Sequence, residues 1–179
     1  TWKKAPGKEL FEELMRHFGT LPIIAEDLGI ITDEVRQLRD YFSFPGMKVL
    51  QFGFDSRNPH NEFLPHNFTH NCVCYTGTHD NDTTVGWIQS ASPITRTFIK
   101  TYLGTGSAKI LTGKLIEAAM SSVARMVIIP MQDVLEQSSR FRMNVPGKQQ
   151  GNWGYRIRTT DLKKIHAAKM RRYIEKYAR

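Results

Sequence analysis

Two short apolar runs end in acids. Pro22-Ile23-Ile24-Ala25 leads into Glu26-Asp27-Leu28-Gly29, and Val73-Cys74-Tyr75-Thr76 leads into Gly77-Thr78-His79-Asp80-Asn81-Asp82. Each reads as a buried strand that delivers carboxylates at its C-terminal tip. In parallel α/β folds that tip is where active sites lie. Two such tips can aim two carboxylates at one substrate, which is the equipment for acid/base chemistry on a sugar bond.

The elements that must position these tips are legible around them. Leu10, Phe11, Leu14, Met15 and Phe18 recur at helical spacing, and Gly19 closes that helix. Residues 21–25 follow as the first strand. Thr32 is the expected N-cap of a second helix with Val35, Leu38 and Phe42 as its stripe, and Asp33 and Glu34 suit its positive end. Pro45-Gly46 is a turn into a second strand over residues 47–54, which ends in Asp55. A polar loop with Pro59, Pro65, His60, His66 and His70 leads to a third strand over residues 72–76. Ser92-Pro93 starts a helix that Gly104 stops. A further helix carries Ile110, Leu111, Leu115, Ala119, Met120 and Val123. The fourth strand is Met126-Val127-Ile128-Ile129, ending near Gln132-Asp133.

Four near-continuous apolar strands alternating with helices predict a parallel sheet buried on both faces. Each ends in a carboxylate: Glu26 and Asp27, Asp55, Asp80 and Asp82, Asp133. One Asp after a strand is ordinarily a helix cap. Four in register predict one acidic cleft above the sheet. Residues 136–160 show no periodicity and are rich in Gly, Asn, Gln and Arg, with Trp153 and Tyr155, as binding loops often are.

The bulk composition constrains the rest. A chain of 179 residues with 40% hydrophobic and 23% charged residues can bury a core as one domain, with no second domain or linker in view. No apolar run approaches the ~20 residues of a membrane helix. Position 1 is Thr, and the chain reads as beginning inside a longer protein. The net charge of +8 is concentrated at one end. From Arg156 to Arg179, nine Lys/Arg stand against Asp161 and Glu175. That pattern reads as a solvated helix face over residues 161–178 rather than a nucleic-acid stripe. Cys72 and Cys74 share a strand face and have neither redox nor zinc spacing, so they read as buried thiols. The spacing of His60, His66 and His70 fits no zinc pattern, so no metal and no other cofactor is expected.

Longer motifs carry a resemblance. Ala25-Glu26-Asp27-Leu28-Gly29, Pro45-Gly46-Met47, Leu50-Gln51-Phe52 and Tyr75-Thr76-Gly77-Thr78-His79-Asp80-Asn81-Asp82-Thr83-Thr84 closely resemble the amylomaltases, which are 4-α-glucanotransferases. Ser122-Val123-Ala124-Arg125, Gln132-Asp133-Val134-Leu135, Arg142-Met143-Asn144-Val145-Pro146-Gly147 and Gly151-Asn152-Trp153 continue it. The resemblance implies an α/β fold, a (β/α)8 TIM barrel of the α-amylase clan. This chain would be its C-terminal half, strands five to eight, spanning residues 1–179. It implies transfer of α-1,4-glucan segments between maltooligosaccharides or starch chains through a covalent glycosyl intermediate. The family's nucleophilic Asp lies in an Arg-x-Asp-His segment, and this sequence contains none.

The resemblance also assigns roles. On sequence alone Glu26 and Asp27 are both possible proton donors, and only one should face the barrel mouth. The resemblance selects Glu26 as the acid/base. It makes Asp80 the transition-state stabiliser, His79 the adjoining sugar-binding residue and Asn144 part of the binding motif; Asp27 and Trp153, the latter by its flat face, are the further substrate-binding residues expected. Trp87 offers either a sugar platform or core packing. Asp55 and Asp133 match no catalytic role. The expected partners are α-1,4-glucans, with neither nucleic acid nor membrane, and the expected compartment is the cytoplasm, or a plastid in a photosynthetic eukaryote. An α-glucan hydrolase of the same clan and a non-catalytic glucan-binding remnant are the competing readings. The lone fragment is expected to be inactive.

Overall fold

The computed structural model describes residues 3–179. Its centre is a parallel sheet of three strands, β1 (Gly46–Val49), β2 (Cys72–Tyr75) and β3 (Met126–Ile128), in the order β1-β2-β3. Gly46 to Val49 lie beside Cys72 to Tyr75, and Val73 to Tyr75 lie beside Met126 to Ile128. All three strands therefore point the same way and finish at the same edge.

Helices α1 (Gly7–Phe18) and α2 (Asp33–Tyr41) precede the sheet. A single helical turn, α3 (Leu50–Gly53), follows β1 directly. Between β2 and β3 come α4 (Thr84–Ser90), α5 (Pro93–Tyr102) and α6 (Leu111–Ser121). The one-turn α7 (Met131–Val134) follows β3, and α8 (Lys164–Tyr177) ends the chain. Local chemistry explains several boundaries. Ser92 accepts the Thr95 amide at 3.0 Å with Pro93 in the first helical turn, and Thr83 accepts the Gly86 amide at 3.1 Å. Thr32 sits at its expected cap position but makes no side-chain cap bond.

The core lies between the sheet and α4, α5 and α6. Leu50, Phe54, Leu64, Ile88, Ile99, Leu111, Leu115 and Ala119 fill it. Cys72 and Cys74 point into it, and burial pushes both thiols up, so they are inert. Trp87 packs against this core with its ring 5.9 Å from Phe54, which resolves its role as packing.

Three expectations are corrected here. Residues 21–25 form no strand. Only the Ala25 amide bonds across, to the Pro45 carbonyl at 2.9 Å. Pro22 and Pro45 have no N–H to donate, and the Met47 amide goes to the Asp27 carboxylate at 2.7 Å instead of a carbonyl. The strand expected over residues 47–54 stops at Val49 and turns helical. A helical turn puts Leu50 and Phe54, four apart, on one face, and both are buried. Lastly, the sheet is not buried on both faces. The side away from the helices closes over Val49 and Val73, but Met126 and Ile128 stand 47% and 40% exposed.

Candidate active site

At the C-terminal edge of the sheet lies a cleft of about 480 Å³. Met47, Tyr75 and Ile128 form part of its floor, and Glu26, His79, Asp80, Asp82, Asp133 and Arg142 lie around it. Arg142 is the one Lys or Arg among the described residues that line it, against four carboxylates. A negative wall of this kind suits a substrate that gains positive charge as it reacts. A larger groove, about 1020 Å³, runs between β3 and α8. Its lining is apolar with a cationic rim and no carboxylate, so it lacks the groups for bond cleavage.

The loop after β2 is folded by its own side chains. The Thr78 amide and hydroxyl both donate to Asn81 Oδ1, at 2.9 and 2.8 Å. The Asn81 amide returns to the Thr78 carbonyl at 3.2 Å. This tight turn pushes His79 and Asp80 outward, where their side chains are 56% and 51% exposed. Gln51 from α3 donates to the Asp82 carbonyl at 2.9 Å and ties the loop to β1.

Glu26 and Asp27 part company although their segment forms no strand. Glu26 is exposed and lines the cleft. Asp27 is 8% exposed and does not line it. Its carboxylate pairs with Arg39 and accepts the Met47 amide at 2.7 Å. Gly46 permits this, because a Cβ there would collide with the Asp27 carboxylate. The expected substrate contact by Asp27 is thereby corrected: its oxygens are held by protein donors that join α2 and β1.

The long loop over residues 136–160 stays irregular apart from 3₁₀ turns at Ser139–Phe141 and Thr159–Asp161. It folds back onto the His79-Asp80 turn. Arg142 donates to the Asp80 carbonyl at 2.6 Å and to the Asn144 carbonyl at 2.7 Å. Asn144 Nδ2 donates to Asp80 Oδ1 at 2.5 Å, and its amide donates to the His79 carbonyl at 3.1 Å. Ser139 donates to Asp82 at 2.6 Å. A Cβ at Gly86 would strike both members of that last pair, so α4 needs glycine there. Trp153 holds a left-handed backbone, φ 61°, with its amide on the Met143 carbonyl at 2.8 Å. That conformation is costly for a non-glycine residue, and it sets the indole 5.1 Å from the His79 ring. Asn152 points inward, accepting the Val145 amide at 3.0 Å and donating to the Lys148 carbonyl at 2.8 Å. It shapes the loop.

The comparisons with known proteins decide the family. The family profile described as 4-alpha-glucanotransferase matches residues 1–162. The chain belongs to the 4-alpha-glucanotransferases. A 4-alpha-glucanotransferase of Thermus thermophilus is 46% identical over 181 residues, covering 97% of this chain and 36% of that protein. The chloroplastic/amyloplastic 4-alpha-glucanotransferase of Solanum tuberosum is 47% identical, covering 99% of this chain and 31% of that protein. The amylomaltase of Streptococcus agalactiae, solved in complex with acarbose, superposes with a TM-score of 0.96 at 34% identity, over 100% of this chain and 36% of that one. This chain thus spans about a third of the length of its relatives.

In this 4-alpha-glucanotransferase chain, then, Glu26, His79 and Asp80 line one cleft, with Asn144 bonded to Asp80 and Trp153 beside His79. The four strand-tip acids do not all converge. Asp55 faces a separate depression with Phe52 and Phe63. Asp133 reaches the cleft floor but is 1% exposed and fully engaged below it. Arg142, which sequence reasoning passed over, joins the two loops. Its sequence signal is its place at the head of the motif that runs from Arg142 to Gly147. His66 and His70 are spent on local bonds, to Tyr102 and Pro59 and to the Val123 carbonyl respectively.

Proposed function

We propose that this chain carries the acid/base and transition-state-stabilising side of a retaining 4-α-glucanotransferase site acting on α-1,4-glucans. One observation carries the reading: Glu26 and the His79-Asp80 pair line one cleft at the C-terminal sheet edge. The acarbose complex of the streptococcal relative supports a sugar-binding cleft.

The chemistry follows from the groups. In the first step a nucleophilic carboxylate attacks C1 of the donor glucan while the Glu26 carboxyl gives its proton to the departing glycosidic oxygen. In the second, the Glu26 carboxylate takes the proton of an acceptor hydroxyl, which attacks C1 and frees the nucleophile. Positive charge spreads over C1 and the ring oxygen in both transition states. Asp80 stands to stabilise it. Asn144 donates to Asp80 Oδ1, and His79 Nε2 is 3.4 Å from the same oxygen. This leaves Oδ2 without a protein donor among the described residues. His79, Asn144 and the exposed Trp153 face offer a sugar hydrogen bonds and a stacking surface. The nucleophile belongs to an Arg-x-Asp-His segment outside this sequence.

The architecture proposed is the C-terminal half of a (β/α)8 barrel, residues 1–179 forming one part of a single catalytic domain. Segment 21–25 and β1, β2 and β3 would take the places of strands five to eight. The apolar groove beside β3 and the exposed stripe of α1 support this, since both are faces that further barrel elements would cover. No helix among the described residues is long and apolar enough to cross a membrane. A cytoplasmic location is proposed, or a plastid one, as the potato relative's name indicates for that protein.

The test is a chimaera in which this chain replaces the matching third of the Thermus thermophilus relative. Maltotriose should yield a ladder of longer glucans. Glucose and maltose alone would sink transfer in favour of hydrolysis. The isolated chain lacks the nucleophile segment, so no turnover is expected of the lone fragment. It should leave maltotriose intact.

A further inference from the structure

We infer that Asp133 is a positioning residue for the reaction, fixing the His79-Asp80 loop by pinning both of its ends to one buried carboxylate. The inference rests on the functional reading above. Asp133 sits in α7, just beyond β3, and is 1% exposed. Thr76, the residue after β2, donates its hydroxyl to Oδ2 at 2.5 Å. Thr84, the first residue of α4, donates its hydroxyl to Oδ2 at 2.7 Å and its amide to Oδ1 at 2.7 Å. Residues 77–83 between these two threonines are the loop that holds His79 and Asp80. Its span is therefore set by one side chain from a different strand tip.

The arrangement is costly in a way that a simple packing residue would not be. Burial pushes the Asp133 carboxyl up, and the like charge of Asp82 adds to that, while the three donated hydrogen bonds oppose both. Each donor is a hydroxyl or an amide. An apolar residue of similar size would avoid the desolvation cost but would release Thr76 and Thr84. What the carboxylate supplies is a geometry: two acceptor oxygens that serve three donors across a gap. Asp80 makes its other links to the loop through Arg142 and Asn144, on the solvent side. Asp133 holds the same loop from below. A transition-state stabiliser is effective only when it is fixed before the charge develops, and displacement of such a group by about 1 Å can cost roughly 10²-fold in rate.

The chimaera with the Thermus thermophilus relative provides two independent readouts. Hydrogen exchange needs no activity. In Asp133→Ala the amides of Asn81, Thr84 and Gly86 should exchange at least about tenfold faster, while those of β2 keep their protection. For maltotriose, kcat per folded molecule should fall roughly 10²-fold with KM changed by less than about threefold. Asp133→Asn, whose amide can still accept from the Thr84 N–H and donate to the hydroxyls, should restore most of both. The inference is overturned if exchange in residues 78–86 is unchanged. It is equally overturned if protection falls uniformly across the sheet, or if kcat per folded molecule is unaltered in Asp133→Ala. An inactive parent chimaera would defeat the transferase reading alone, because the exchange experiment still decides whether Asp133 holds the loop.

Discussion

A proton donor and a charge stabiliser fail differently when they are removed, and that difference tests the roles proposed for Glu26 and Asp80. Glu26→Gln keeps the shape of the cleft wall and removes the exchangeable proton. In the chimaera it should lower kcat by about 10²- to 10⁴-fold, the usual range for a general acid, with acarbose binding by calorimetry nearly unchanged. Arg142→Ala strikes a residue whose hydrogen bonds, among the described residues, go to the Asp80 and Asn144 carbonyls. It should reduce kcat by roughly 10- to 10²-fold through misplacement of Asp80, and Arg142→Lys should recover little, since a single ammonium cannot reproduce the guanidinium fork. The acid response is set elsewhere. Burial pushes the Glu62 carboxyl up, but hydrogen bonds from Arg36 and Lys48 outweigh it and hold the group at about 2, against an ordinary 4.5. A depressed carboxyl adds stability that is present above pH 4.5 and is lost as the pH falls toward 2. Glu62→Gln should therefore flatten the pH dependence of the melting midpoint across that window, and an unchanged slope would refute the assignment.

Among the elements, the buried turn α3 is the one whose loss should be felt most widely. Phe54 is 2% exposed and meets Trp87, Phe98 and Tyr102. Phe54→Ala should cost about 3–5 kcal/mol, seen as a lower denaturant midpoint of the chimaera. Losing the Ser92 cap by Ser92→Ala should cost about 1 kcal/mol. The helices with strong punctuation were legible in the sequence: α1 before Gly19, α5 between Ser92 and Gly104, and α6 with its apolar stripe. So were β2 and β3 to within a residue. The short α4 was not, because Thr84, Val85 and Gly86 are poor helix formers and its fold depends on Thr83, Asp133 and Ser139. Segment 21–25 misled for the opposite reason. Its apolar run is a good strand pattern, but prolines and the Asp27 carboxylate remove the ladder partners that pattern presumes. That Glu26, His79 and Asp80 would share one cleft could be read from their motifs. Arg142 and the burial of Asp133 could not, since both depend on loops that meet only in three dimensions.

For the whole molecule the dominant fact is uncovered apolar surface. Leu10, Phe18, Met126, Ile128 and Ile165 are among the exposed large hydrophobics, and the β3 edge faces a groove of about 1020 Å³. An open parallel sheet edge beside an apolar groove invites other chains. The isolated chain should self-associate in sedimentation experiments, bind an apolar dye and melt without a sharp transition. A monomer with one cooperative transition would contradict the half-barrel proposal. On the other side, α8 is anchored to α6: Lys176 and Lys114 hydrogen-bond to Glu117, with help from Tyr177, and keep its carboxyl at about 2. The position of Trp153 above His79 also has an optical consequence. In a Trp2→Phe background, which leaves two of the three tryptophans, Trp87 emits from within the core and Trp153 from beside His79, so their spectra should separate into a blue and a red component. The red component comes from the indole that stands 5.1 Å from the His79 ring. A glucan wedged against the indole should shift that component to the blue. The cleft thus carries its own lamp, and in that background Trp153→Phe would switch it off while leaving the light of the core in place.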